Sequence, residues 1–125
     1  MKAQDVELIA QNLAGKKAKV KRLKRLKSEP ADTKEKKLPK VVRDGLEKHF
    51  RTKLTKVRVH TGGNLRDVCK ELKAKAFTIG ENIHFKKIGD AKDPALLAHE
   101  LTHVIQKSQG KMPKKAKPGT ALVCK

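Results

Sequence analysis

The chain is poor in the residues that build large cores and disulfide frameworks. Its 125 residues include no Trp, no Tyr, three Phe and two Cys. Because aromatic side chains bury the largest areas, we expect a small aliphatic core with at least one terminal segment outside it. Two cysteines are too few for a disulfide framework. Cys69 falls on an apolar helical stripe, which indicates a buried thiol, and Cys124 could be a free one.

Long apolar runs are also missing from the sequence. No segment approaches the length of a membrane span, and no hydrophobic region of a signal peptide is visible. We therefore expect no transmembrane segment and synthesis in the cytoplasm. Export, if it occurs, would use a route other than general secretion.

Acidic residues are outnumbered by basic ones. The chain has 32 Lys and Arg against 13 Asp and Glu, which gives a formal net charge of +19. Such a charge favours polyanionic partners: nucleic acid, an anionic membrane or an acidic protein surface. The run from Lys16 to Lys27 contains no acid. It is either a solvated basic segment or one that binds or packages a polyanion.

The residues that carry the clearest chemistry are His99-Glu100-Leu101-Thr102-His103, an H-E-x-x-H motif. Asp93 is suited to cap a helix that begins at Pro94, so the motif is predicted to be helical. On a helix, residues four apart share a face. His99 and His103 can therefore bind one Zn²⁺, and Glu100 can act as the general base on a water molecule.

A catalytic zinc site needs a third protein ligand. Residues 104–125 contain no His, Asp or Glu, and Gln106 and Gln109 replace the Gly and His of the extended zinc motif. The third ligand must then come from upstream, from Cys124, from a partner, or not exist. Our candidate is His60, which ends a predicted strand just before a Gly pair. A structural histidine that bonds to a backbone carbonyl group or a helix end is an equally valid interpretation.

Hydrophobic periodicity predicts an α+β fold. We expect a small zincin-like core of helix, strand, helix, β-hairpin and H-E-x-x-H helix, with basic extensions at both ends. The predicted helices cover residues 4 to about 27, 38–50, 65–76 and 93–110, and the predicted strands cover 55–60, 77–79 and 83–86. The strand at 83–86 could pair with an extended peptide. We predict three parts of the chain: a basic helical arm and linker at 1–37, a metallopeptidase-type domain at 38–110, and a basic irregular tail at 111–125.

The segment from Leu38 to Lys107 resembles the eCIS core domain, a family of metallopeptidase-type domains associated with bacterial extracellular contractile injection systems. The order and spacing of the matching segments are more specific than the zinc motif. These segments are Leu38-Pro39, Leu46-Glu47, residues 57–61, residues 74–80, residues 83–85 and residues 96–106. The resemblance implies a bacterial protein that is a component of an injection particle or is loaded into it, and partners among its particle, cargo or chaperone proteins.

Three functions follow from these observations. The first is a zinc-dependent metallopeptidase with one Zn²⁺ on His99 and His103, and with Glu100 as the catalytic residue, which could process a cargo polypeptide. The second is a non-catalytic packaging or interaction module that uses its basic surface. The third is non-specific nucleic-acid binding, which the charge permits although no Tyr or Trp is present for base stacking. The oligomeric state is not predicted.

Overall fold

The computed structural model contains a mixed sheet covered by helices, in keeping with the hairpin, helix and capping signals of the sequence. The structure describes residues 2–13, 20–26, 28–108, 110, 112 and 120–124, and for 20–25, 120 and 124 it describes the backbone only. The helices are α1 (Ala3–Leu13), α2 (Lys40–Phe50), α3 (Leu65–Leu72), α4 (Ile88–Ala91) and α5 (Pro94–Lys107). The strands are β1 (Val20–Arg25), β2 (Lys34–Lys37), β3 (Arg58–Thr61), β4 (Ala76–Ile79), β5 (Asn82–Phe85) and β6 (Thr120–Cys124).

Six described strands form the sheet in the order β1-β6-β4-β5-β3-β2. The pair β3–β5 is parallel, and the other four pairs are antiparallel. The hairpin β4–β5 closes through a tight turn in which Gly80 has a φ of +57°, a conformation that favours glycine. The predicted hairpin and the α+β class are therefore confirmed.

The sheet separates two apolar clusters because successive side chains of a strand point to opposite faces. On one face, Val59, Ile83 and Phe85 pack with α1, α2 and α5. On the other face, Phe77 and Val123 pack with the apolar stripe of α3. We call these the α5 face and the α3 face. Cys69 is buried on the α3 face, as predicted, and burial raises the pKa of its thiol to about 11.

Helix α1 belongs to the core of the domain. Val6 and Ala10 are buried in the cluster on the α5 face, and Gly45 of α2 allows the two helices to approach closely. A Cβ atom at Gly45 would lie 2.5 Å from the Cβ atom of Val6 and 2.7 Å from the carbonyl oxygen of Ala3. The first helix is thus part of the packed unit, and the domain boundaries at 38 and 110 remain predictions.

Three predictions of irregular or helical structure are wrong. The helix predicted to reach about residue 27 ends at Leu13, and Val20–Arg25 forms a strand; residues 14–19, with Gly15, lie outside the described residues. The predicted linker at 28–37 contains β2, and the predicted irregular tail contains β6. Pairing between β1 and β6, and between β2 and β3, supplies hydrogen bonds that local propensity does not reveal.

Strand β5 is not available for pairing with an extended peptide. It lies between β3 and β4, so both of its edges are already hydrogen-bonded. The described helices include none that is long and apolar enough to cross a membrane.

Candidate metal centre

The motif helix α5 begins and ends at the residues that the sequence indicates. The carboxylate of Asp93 accepts hydrogen bonds from the N–H groups of Ala95 and Leu96, at 3.0 and 3.4 Å, and Pro94 is in the first turn. After the helix, Gly110 has a φ of +94° and donates its N–H to the carbonyl oxygen of Ile105. These caps fix the register that brings the two motif histidines to one side of the helix.

The imidazole rings of His99 and His103 meet through their Nε2 atoms, which lie 3.0 Å apart. The ring centroids are 4.5 Å apart and the ring planes are nearly perpendicular. His103 is buried, whereas His99 is partly exposed. Two nitrogen ligands of a tetrahedral zinc ion, each about 2.0–2.1 Å from the metal, are about 3.3 Å apart. The observed separation is therefore close to the spacing that a shared metal ion requires.

Glu100, the carboxylate of the motif, is 3% exposed and contacts a cation from the hairpin. Its Oε1 atom lies 3.1 Å from Nζ of Lys75, whose side chain is 44% exposed. Burying an unpaired carboxylate is costly, so the ammonium group helps to hold this charge beneath the surface. Sequence reasoning missed Lys75, because no local pattern links the residue before β4 to a residue in α5.

The structure does not bring His60 together with the motif histidines. His60 is in β3 next to Val59, whose side chain packs on the α5 face, so the imidazole of His60 lies on the α3 face. Its Nδ1 atom lies 3.1 Å from Oγ1 of Thr33, and its Nε2 atom lies 2.9 Å from Oδ1 of Asn82. This placement does not support His60 as the third ligand. The partners of His60 are side chains, and not the backbone carbonyl group or helix end of the alternative interpretation.

On the α3 face, His60 is part of a stack of three rings. It stacks on His84 with a centroid distance of 4.5 Å, and His84 stacks on Phe77 with a centroid distance of 4.6 Å. Burial, with a smaller effect of the neighbouring His60, lowers the pKa of His84 from 6.5 to about 4. His84 is therefore neutral at physiological pH, and its Nδ1 atom has no hydrogen-bond partner among the described residues.

The described side chains do not form a complete metal centre. Within that part of the chain, no group of three or more His, Cys, Asp or Glu residues is placed to hold a metal ion. Only one residue of these four types has an undescribed side chain, and it is Cys124. In the backbone register, Cys124 pairs with Ala76, the residue that follows Lys75.

The family comparison agrees with the resemblance seen in the sequence. The model of the eCIS core domain matches residues 37–111, which is more than half of the 125 residues. The match includes Lys75 and the whole H-E-x-x-H motif, and it leaves out α1, β1 and β6. No curated protein and no solved structure matches the chain.

Proposed function

Because the chain belongs to the eCIS core domain family, which links it to contractile injection systems, we propose that it is a zinc-dependent peptidase module of such a system. The observation that carries the proposal is the 3.0 Å separation of the Nε2 atoms of His99 and His103, next to the buried carboxylate of Glu100. In hydrolytic zinc sites, two neutral imidazoles bind the metal ion and an adjacent carboxylate is the general base.

His99 and His103 fit zinc because their Nε2 atoms lie 3.0 Å apart, near the spacing of two tetrahedral ligands. When bound, Zn²⁺ makes water more acidic and polarises a carbonyl group. The partial exposure of His99 leaves one side of the pair accessible from solvent. A peptide would therefore approach from the side of His99, since His103 is covered.

Glu100 would act as the general base and then as the general acid. Its carboxylate would accept a proton from the attacking water and deliver it to the leaving amine. Lys75, at 3.1 Å, orients this carboxylate and compensates its charge. Since its side chain is 44% exposed, the ammonium group can also donate a hydrogen bond to a carbonyl oxygen of the substrate, a task for which the chain has no Tyr.

Cys124 is our proposal for the third ligand. Among the described residues no group of three His, Cys, Asp or Glu is placed to hold a metal ion, and Cys124 is the only residue of these types with an undescribed side chain. The register supports the proposal because it sets Cys124 opposite Ala76, which belongs to the apolar cluster that includes α5. A thiolate is a common zinc ligand beside imidazoles.

The proposal is tested by incubating the zinc-loaded full chain with a mixed peptide library and identifying cleaved bonds by mass spectrometry. Glu100→Gln should bind zinc as the unaltered protein does and cleave no peptide. Glu71→Gln, an exposed carboxylate on α3, is the matched control and should cleave normally. If the zinc-loaded protein cleaves nothing, the metal has a structural role and the peptidase proposal is wrong.

A further inference from the structure

Strand β2 forms an open edge of the described sheet. It is the last strand in the order and pairs only with β3, so its outer backbone groups have no strand beside them. All four of its side chains, Lys34, Glu35, Lys36 and Lys37, are exposed. In the antiparallel register, Lys36 lies opposite Val59, which places Lys36 on the α5 face of the sheet.

A groove with basic and apolar walls lies on the α5 face of this edge, between β2, β3 and α4. Its volume is about 210 Å³, and its cations are Lys36 and Lys37 of β2 and Lys92, which follows α4. Val59 and Ile88 supply apolar surface between these cations. We call this cavity the β2 groove.

The basic surface continues past Ile88 into a second cavity of about 420 Å³, whose cations are Arg66, Lys86 and Lys87. Among the described residues, none of the cations of the two cavities forms an ion pair with a carboxylate. Ile88 is 52% exposed and is one of two large hydrophobic residues exposed in the described part of the chain. A row of uncompensated cations around an exposed apolar side chain is typical of a binding surface.

We propose that the β2 groove binds an extended acidic segment of a partner protein, which adds a strand to the outer edge of β2. Carboxylates of the segment would pair with Lys36 and Lys92, and an apolar side chain would pack on Ile88. Backbone hydrogen bonds to an open edge provide affinity, and alternate side chains provide specificity. The acidic and apolar side chains that enter the groove would stand at every second position of the segment, because alternate side chains of a strand face the same way.

The charges of β2 select among possible occupants. A second copy of this chain would bring the Lys-rich edge against itself, and lysines on an edge strand oppose such self-pairing. A nucleic acid would match the charge, but no aromatic side chain in the described part of the chain lines either cavity to provide a surface on which bases could stack. An acidic polypeptide uses the cations, the apolar side chain and the open backbone edge together.

The test uses anisotropy to measure binding to the full chain of a fluorescent Glu-Val peptide, in which Glu, Val and Glu stand at every second position with Ser between them. The same pattern with Lys in place of Glu is the charge control and should not bind. Two further peptides carry N-methyl groups on alternate residues, in the two complementary sets. Since only one edge of a paired strand faces β2, one of these peptides should bind normally and the other should lose about tenfold in affinity, the effect of about 1.4 kcal/mol.

Charge reversal locates the site on the protein. Lys36→Glu with Lys92→Glu should weaken binding of the Glu-Val peptide by about tenfold or more. Lys53→Glu with Lys70→Glu, an equal change in charge at exposed residues that do not line the groove, should weaken it much less. Equal binding of the two N-methylated peptides would contradict strand addition, and equal effects of the two double variants would contradict the location. Tighter binding of a single-stranded or duplex oligonucleotide that Lys36→Glu with Lys92→Glu abolishes would identify the groove as a nucleic-acid site instead. None of these measurements requires zinc.

Discussion

The ammonium group of Lys75 lies 3.1 Å from the carboxylate of Glu100, so the hairpin and the motif helix are joined by an ion pair. The carboxylate is nearly fully buried, whereas the cation is close to half exposed. Lys75 therefore lies between solvent and the buried carboxylate that we propose as the general base.

Replacing Lys75 by Met should destabilise the protein by about 1–2 kcal/mol, because the buried carboxylate of Glu100 loses its cation. This loss of stability is smaller than the loss expected for a fully buried ion pair, because Lys75 is partly solvated. In the double variant with Glu100→Gln, most of this cost should disappear, since no charge is then left unpaired. Urea unfolding of the four proteins of this cycle measures the coupling. Additive effects of the two substitutions would show that the contact is not an ion pair in solution.

His84 should make the protein acid-sensitive. The pKa of His84 is about 4 in the folded state and 6.5 ordinarily, so the unfolded chain binds a proton more readily. The stabilisation from burying neutral His84 is complete above pH 6.5 and is lost as the pH falls towards 4, by up to about 3 kcal/mol.

His84→Phe retains a ring between Phe77 and His60 and removes the titrating group. The free energy of unfolding of this variant should fall less than that of the unaltered protein between pH 6.5 and 4. Urea titrations at the two pH values provide the comparison, and titrating groups remote from the stack contribute equally to both proteins. Parallel pH profiles would contradict the buried neutral state of His84.

Gly45→Ala should destabilise the domain by about 1–3 kcal/mol, because a methyl group at this position would overlap Val6 and the backbone of Ala3. The loss occurs although alanine favours helix more than glycine does. Gly89→Ala is the matched control, since a Cβ atom there meets nothing within 4 Å, and it should be neutral or slightly stabilising. Thermal unfolding separates the two variants. Equal melting temperatures would mean that α1 does not pack on α2.

The sequence was sufficient where the signals are local. Asp93, Pro94 and Gly110 mark the ends of α5 because capping and positive φ depend on the residues at those positions. The turn at Gly80 marks the hairpin for the same reason. The two motif histidines converge because four-residue spacing on a helix determines their relative position.

Sequence patterns did not predict the contacts between residues that are distant in the sequence. In the segment Val20–Arg25 every third residue is apolar, which favours a helix edge, whereas pairing with β6, with a register shift between Lys21 and Leu23, makes it a strand. His60 was correctly assigned to the end of a strand, but its face depends on the core position of Val59. Lys75 was missed because its partner Glu100 is distant in the sequence. Helix α5 is also buried on more sides than a surface helix with one apolar face would be.

The third ligand can be identified by comparing two substitutions. Cys124→Ser should weaken zinc binding by about 10–100-fold, because a thiolate is lost from the coordination shell. His60→Ala should leave zinc affinity unchanged, since its imidazole lies on the α3 face and contacts Thr33 and Asn82. Competition with a zinc-chelating dye measures both affinities. The reverse result would restore His60 as the ligand and would require β3 to be placed differently relative to α5.

The shared metal ion is tested most directly by elemental analysis of the purified chain, its His99→Ala variant and its His49→Ala variant. His49, which contacts Phe50 at the end of α2, is a matched control outside the motif. We expect about one zinc ion per chain in the unaltered protein and in His49→Ala, and almost none in His99→Ala. Zinc absent from the unaltered protein after incubation with the metal, or retained in full by His99→Ala, would contradict a centre built on His99 and His103.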